Sequence, residues 1–313
     1  MARAARIKKQ KRQELGIRMK KYWPLLAMML PGILYFLIFC YGPMYGILLA
    51  FKDYKISAGI MGSPWVGLSY FDRIFHSRTF WKVMKNTLAI SSLKLVFGFF
   101  PPIIFALLLK EVKLPWLRKF TQTCSYLPYF ISWIIMAGIL KEILSQNGVL
   151  NQIIILFGGE THVWLSEPEY FWAILVISDI WKGFGWGSIV YFSALSGIDE
   201  QLYEAAALDG ASRFQRVIRI TLPLLAPVIT INLILSMSGI LNAGFDQIFN
   251  LQNNAVDSVA NIIDTYVYEL GIQSRDYSMS TAIGLFKSVI ALILMVTTNA
   301  VARKINGEGY TLW

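Results

Sequence analysis

The sequence predicts an all-α integral membrane protein with six transmembrane helices. Three observations carry that prediction. Of 313 residues, 56% are hydrophobic and only 15% charged; six apolar windows approach the length of a bilayer span; and lysine and arginine concentrate on alternate loops. A soluble domain of this size could neither bury so much apolar surface nor solvate it with so few charges. The net charge of +10 does not point to nucleic acid. A single block, Arg3, Arg6, Lys8, Lys9, Lys11, Arg12, Arg18, Lys20 and Lys21, supplies much of it just before a long apolar run, a placement that suits an anionic lipid surface.

A hydrocarbon core of about 30 Å takes about 20 helical residues. The windows run from Trp23 to Leu49, Val83 to Leu109, Thr121 to Leu144, Phe171 to Leu195, Leu222 to Phe245 and Met279 to Val301. The first is about twice the length of a signal-peptide core and lacks a small-residue cleavage site, so it is expected to be retained as a span. Val149 to Phe157 is apolar but too short to cross, and is expected as an interfacial or buried helix outside the membrane. The basic residues after spans two (Lys110, Lys113, Arg118, Lys119), four (Arg213, Arg216, Arg219) and six (Arg303, Lys304) share a side with the amino-terminal block. That side is the cytoplasm by the positive-inside rule, with both termini on it. Gln146 to Pro168 carries no basic residue, and Asp246 to Tyr277 only Arg275. The first outer loop, with Lys52, Lys55, Arg73, Arg78 and Lys82, runs against the rule. Residues 1–22 thus form a basic cytoplasmic segment, 23–303 the six-span domain with a cytoplasmic loop at 196–221, and 304–313 a short cytoplasmic tail.

Proline and glycine interrupt the spans at Pro31-Gly32, Gly42-Pro43, Pro101-Pro102, Pro128 and the run Gly183, Gly185, Gly187. Broken backbone at membrane depth survives only where neighbouring helices or a wet cavity satisfy it. The three glycines, beside Trp181, Lys182 and Trp186, favour a cavity or a tight helix crossing. Each ionisable group at depth costs at least about 2.5 kcal/mol and is a functional candidate; Lys94, Asp179, Lys182 and Lys287 qualify. Asp179 and Lys182, three apart, are expected to neutralise each other across one turn. Lys94 and Lys287 have no partner within their own spans, leaving another subunit, snorkelling or an anionic substrate.

The catalytic signals are absent. No Gly-x-x-x-x-Gly-Lys-Ser/Thr phosphate loop, membrane-protease zinc motif or serine nucleophile elbow occurs, so the chain is expected to be non-enzymatic. Cys40 and Cys124 lie in apolar runs as expected packing residues, and His76 and His162 are far apart, so no disulfide framework, zinc spacing or other metal site assembles.

The loop after the fourth span reads Tyr203-Glu204-Ala205-Ala206-Ala207-Leu208-Asp209-Gly210-Ala211-Ser212, continuing to Ile220-Thr221-Leu222-Pro223. Glu204 to Leu208 is strong helix former, Gly210 permits a sharp turn, and Ser212 is placed to cap a second helix that Pro223 bends into the membrane. Physically this is either an ordinary amphipathic connector or a docking element with a small alanine face. The pattern Glu-Ala-Ala, three residues, Gly, nine residues, Ile, one residue, Leu-Pro resembles the signature loop of binding-protein-dependent ABC importer permeases. Glu204, Ala205, Ala206, Gly210, Ile220, Leu222 and Pro223 match it at every place. The resemblance implies that this loop, with Asp209 and Ala211 in its turn, is a coupling helix seated in a cleft of a separate ATPase.

The likeness extends to the oligosaccharide and polysaccharide branch, which includes lipoprotein-associated and alginate-type systems. It does so through Tyr41-Gly42-Pro43-Met44-Tyr45-Gly46, Phe51-Lys52-Asp53-Tyr54, Gly62-Ser63-Pro64-Trp65-Val66-Gly67, Ser125-Tyr126-Leu127-Pro128, Ile180-Trp181-Lys182, Gly185-Trp186-Gly187-Ser188 and Ile240 to Gln247. It implies a type I ABC importer permease fold in a bacterial cell membrane, working by alternating access on carbohydrate. No cofactor is expected on this chain, with ATP and Mg on the partner. The implied partners are a second, different permease chain, a dimer of ATP-binding subunits, an extracytoplasmic solute-binding protein, an oligosaccharide substrate and membrane lipid, and no nucleic acid. A permease for a non-sugar solute is the nearest alternative, and an integral-membrane enzyme or assembly factor a distant one.

Sugar recognition uses flat apolar faces and amide or hydroxyl groups. The spans offer Tyr126, Tyr129, Trp133, Trp181, Trp186, Asn86, Asn232, Asn242 and Gln247. With Lys94, Lys182 and Lys287 they form the expected substrate pathway.

Overall fold

The computed structural model describes residues 21–306; the basic residues up to Lys20 and the tail beyond Asn306 lie outside them. Five of the described helices are long and apolar enough to cross a membrane: α1 (Lys21–Phe51), α3 (Arg78–Glu111), α7 (Pro168–Ser196), α9 (Arg213–Ser238) and α13 (Tyr277–Asn306). Between α1 and α3 lies α2 (Ser69–His76), packed through Tyr70 and Ile74 against Phe80 and Val83 of α3 and Met279 and Ile283 of α13. The third expected span is bent. α4 (Pro115–Tyr126) runs through a tight turn to Phe130, and α5 (Trp133–Ile143) leaves it at 102°. A continuous helix from Thr121 to Leu144 is therefore not what forms. Pro128 cannot donate to the helix ladder, and Ser132 Oγ, accepting from Ile135 N at 3.4 Å, caps a fresh helix instead. The other prolines disturb less. α3, capped by Ser77, continues through Pro101 and Pro102, and α1 passes Pro31 unbroken before changing from a π-turn to a 3-10 helix at Gly42-Pro43.

The expected short helix is α6 (Val149–Leu156). Asn151, fully buried, anchors it through the carbonyls of Ser145, Gln146 and His162 and the indole of Trp164. α8 (Glu200–Leu208) precedes α9. After α9 the chain unwinds from Gly239 to Gly244, then forms α10 (Phe245–Leu251), α11 (Asp257–Ala260) and α12 (Ile263–Tyr268), a cap of short helices on the outer side. The fifth span thus begins earlier than Leu222 and ends before Phe245.

The basic residues of the first outer loop find partners within that loop and in this cap. Lys52 is buried, with its ammonium on the carbonyls of Ile60 and Met61; Lys82 pairs with Asp257 at 3.6 Å; Arg73 lies over the Tyr70 ring. Burial, and then the hydrogen bond to Asp53, pushes the Tyr70 hydroxyl above its ordinary range. Both cysteines are exposed on the bundle's outside rather than packed within it.

The most extensive helix contact joins α3 and α7. The core along this pair is split in two. An outer apolar layer holds Ile90, Met136, Phe171, Leu175 and Ile248, and an inner one holds Ile103, Ala106, Tyr191, Leu195 and Leu225. Gly185 sets the crossing with α4, where a Cβ would overlap the Ser125 backbone carbonyl.

Candidate functional site

Between the two apolar layers α3, α7 and α9 line an open polar cavity of 440 Å³. α3 gives it Ser91, Lys94, Leu95, Gly98, Phe99 and Pro102, a single stripe at the 3.6-residue period. Asp179, Gly187 and Tyr191 come from α7, Asn232 and Ser236 from α9, and Asn242 from the unwound segment.

Lys94 and Lys182 serve the two breaks in the helical backbone. The unwinding after α9 frees the Ala243 carbonyl, and Lys94 Nζ donates to it at 2.8 Å while also bonding Gln247 Oε1 and lying 3.4 Å from Asp179 Oδ1. The bend between α4 and α5 frees the carbonyls of Pro128, Tyr129 and Ile131, and Lys182 Nζ donates to them at 3.2, 2.7 and 2.5 Å. Each ammonium thus replaces the helix donors that the broken segment lost. The expected pairing of Asp179 with Lys182 gives way to Asp179 with Lys94. Nor are Lys94 and Lys287 partnerless, since Lys287 meets Asp264 Oδ1 of α12 at 2.5 Å. Both partners lie on other helices, which is why the spans alone did not show them. In the Lys94 pair the lysine side chain is 11% exposed and Asp179 41%, so both line the cavity but the carboxylate is the more accessible member.

The remaining pathway candidates divide. Lys94, Asn232 and Asn242 line the cavity, and Gln247 adjoins it, held by its amide to Leu175 O and Ser178 Oγ at 2.8 Å. Asn242 also lines a neighbouring cavity of 520 Å³ with Lys287 and Asp264. Asn86 is committed elsewhere, clamping the outer cap through the carbonyls of Ser258 and Asn261 at 3.1 and 3.0 Å. Tyr126, Tyr129, Trp133, Trp181 and Trp186 line neither cavity. Tyr129 stacks on Trp186 at 4.7 Å, Trp133 and Tyr129 flank the Lys182 ammonium, and Trp181 borders an apolar recess between α5, α6 and α7. Ser91, Tyr191 and Ser236 are cavity residues not among the sequence candidates, although the stripe on α3 is present in the spacing.

The loop after α7 folds as a helix, a turn and a second helix. Asp199 Oδ1 caps α8; Gly210 takes φ +80° at its end. Ser212 and Gln215 then form a reciprocal capping box that starts α9. Val217–Thr221 is a π-turn, a local widening that lets the helix accept Pro223 four residues past Arg219. Tyr203 OH pairs with Thr221 Oγ1 at 3.0 Å, tying α8 to the base of α9. The opposite face presents Leu202, Ala205 and Leu208 to solvent, Leu208 being 90% exposed. Ala206, Asp209, Gly210, Ala211 and Ile220 line a hollow of 370 Å³ under the turn, while Leu222 continues into α9.

Among the described residues no group of three or more metal-ligating side chains occurs. Residues 95–307 match the family described as the binding-protein-dependent transport system inner membrane component. The polygalacturonan/rhamnogalacturonan transport system permease protein YteP of Bacillus subtilis (strain 168) is 43% identical over 303 residues, covering 96% of this chain and 94% of that protein. A chain in the crystal structure of a bacterial ABC transporter involved in the import of the acidic polysaccharide alginate superimposes with a TM-score of 0.87 at 41% identity, over 94% of this chain and 99% of that one. A chain of the alginate transporter crystallised with an alginate pentasaccharide-bound periplasmic protein does so with a TM-score of 0.85, also at 41% identity, over 92% and 96%. This chain belongs to the binding-protein-dependent ABC transporter permeases, multi-pass inner-membrane subunits whose ATPase is a separate chain.

Proposed function

We propose that this permease carries oligosaccharide fragments of an acidic polysaccharide inward, as one half of a pseudo-twofold pair with a different permease chain. An extracytoplasmic binding protein delivers the substrate, and a dimeric ATPase holding ATP and Mg drives the cycle. The observation that carries this reading is the polar cavity between two dry layers of the α3–α7 core. A hydroxyl-rich solute needs donors and acceptors at mid-depth, and Ser91, Asn232, Ser236 and Asn242 supply both. Apolar layers above and below keep the path closed at either end until the bundle rearranges. The relatives named above act on polygalacturonan and alginate, which favours a carbohydrate over a peptide.

The charge in the cavity is balanced, so an acidic sugar does not bind by simple attraction to a bare lysine. Asp179 is the more exposed member of its pair and only 3.4 Å from Lys94; a substrate carboxylate takes its place on the ammonium as the sugar passes. α8 offers the apolar row Leu202, Ala205 and Leu208 to the ATPase, with Glu204 and Asp209 as polar neighbours. Uptake of charged and neutral oligosaccharides by the Lys94→Met variant tests the charge exchange. Selective loss of charged substrate is the expected result, and equal loss of both removes Lys94 from substrate recognition.

A further inference from the structure

A second, partly open site lies at the cytoplasmic end of α3. The carboxy-terminal end of α3, the inner face of α8 and the first turns of α9 bound a cavity of 290 Å³. Four cations face it, Lys110, Lys113, Arg213 and Arg216, against two carboxylates, Glu111 and Glu200, which leaves a net +2 on its wall. Glu111 and Arg213 stand 3.9 Å apart and are well exposed, so solvent serves both. The other two cations are different. Lys110 Nζ and Arg216 Nε are shielded from solvent and have no hydrogen-bond partner among the described residues. Lys110 Nζ rests 3.9 Å from the centroid of the Tyr203 ring, a contact that steadies the charge but accepts none of its three N–H bonds in the way an oxygen does. Buried donors of charged groups without an acceptor are among the least tolerable features of a folded protein.

We propose that this cavity binds a phosphate-bearing anion, whose oxygens accept from Lys110 Nζ and Arg216 Nε. Inorganic phosphate or a phosphate monoester carries about −1.5 to −2 charges and a phosphodiester headgroup carries one; either supplies strong acceptors for the orphaned donors on a wall of net +2. The site lies where the apolar run of α3 ends and that of α9 begins, at the depth of lipid headgroups on the cytoplasmic side. An anionic phospholipid and a soluble phosphate compound both present this chemistry. Occupancy has a mechanical consequence, because Lys110 belongs to α3 and Arg216 to α9. The anion ties the bases of these two spans together beneath α8, whose Tyr203 ring covers the Lys110 ammonium.

The test uses the full chain purified in detergent with the subunits that accompany it. Native mass spectrometry reads phosphatidylglycerol retained after extraction, and calorimetry with inorganic phosphate is run on protein exchanged into phosphatidylcholine nanodiscs. Lys110→Gln and Arg216→Gln are compared with the exposed pair Lys113→Gln and Arg213→Gln, which keeps the test open if the buried variants misfold, and with Lys55→Gln on the far side of the membrane. Each lost charge is expected to lower retention roughly fivefold, equivalent to about 1 kcal/mol per basic residue at an anionic surface; Lys55→Gln is expected to have no effect. Retained lipid that these substitutions release identifies a lipid headgroup as the ligand. Phosphate binding in phosphatidylcholine that they abolish identifies a soluble phosphate. Lipid retention unchanged by all four substitutions, together with no binding of inorganic phosphate, overturns the proposal.

Discussion

Replacing Gly210 with valine isolates the turn that presents α8. Gly210 adopts φ +80°, and a Cβ built there would meet nothing within 4 Å, so the whole cost of a substitution lies in the backbone. A side chain in the left-handed region costs about 1–2 kcal/mol, with a β-branched residue at the upper end or beyond. Asparagine, which visits that region several times more often than other residues, should cost least. The turn sits between the end of α8, closed by Asp209 N to Ala205 O and Ala211 N to Ala206 O, and the Ser212–Gln215 capping box. Strain at Gly210 therefore relaxes by swinging α8 away from its docked angle. A shift of 1–2 kcal/mol against the docking-competent loop lowers its population by roughly 5- to 30-fold. Co-purification of the ATPase and substrate-stimulated ATP hydrolysis should fall in the order asparagine, alanine, valine, while yield and size-exclusion profile of the permease stay unchanged. Equal ATPase recovery with valine and glycine would refute the role of the turn. An asparagine variant as impaired as valine would show that side-chain volume, not backbone conformation, is what the partner senses.

Three further outcomes are expected. Lys94→Met should destabilise the solubilised protein by about 1–3 kcal/mol, because it strips the donor from Ala243 O and Gln247; Asp179→Asn, which leaves Lys94 those acceptors, should cost less, and thermal melts showing the reverse order would contradict the assignment. Gly185→Ala should cost about 1–3 kcal/mol by driving a methyl group into the Ser125 carbonyl, whereas Gly183→Ala, where a Cβ has open space, should be neutral; equal melting temperatures would remove the close crossing. In a background with Cys40 and Cys124 replaced by serine, Asn253→Cys should react with an impermeant maleimide applied to intact cells and Ser212→Cys should not; external labelling at Ser212 would invert the orientation.

Much of the fold was legible from local features, and the misread charges and broken backbone share one cause. Span number, the docking helix, the turn at Gly210 and the cap at Ser212 depend on residues within a few positions of one another, where periodicity and capping chemistry act directly. The partners of the membrane-depth charges do not. Asp179 is 85 residues from Lys94, and Ala243 is 149 away; reading charges within single spans paired Asp179 with Lys182 and left Lys94 and Lys287 alone. The same distance hid the link between broken backbone and buried cation. Pro128 signalled a weak point in the third span, but a 102° bend needs the Lys182 ammonium, carried on α7, to hold the freed carbonyls. Aromatic residues misled for a different reason. Tyr129 and Trp186 satisfy each other by stacking, and composition does not distinguish a ring that packs on another from one that lines a path.

The proposal of carbohydrate import is tested most directly by reconstituting the permease with its partner permease, ATPase and binding protein in liposomes and following labelled solutes inward. ATP-dependent accumulation of acidic oligosaccharide, unaffected by excess peptide and lost when Gly210 is replaced with valine, is the predicted result. Accumulation of peptide in preference to oligosaccharide, or oligosaccharide entry that proceeds equally without ATP, would contradict it.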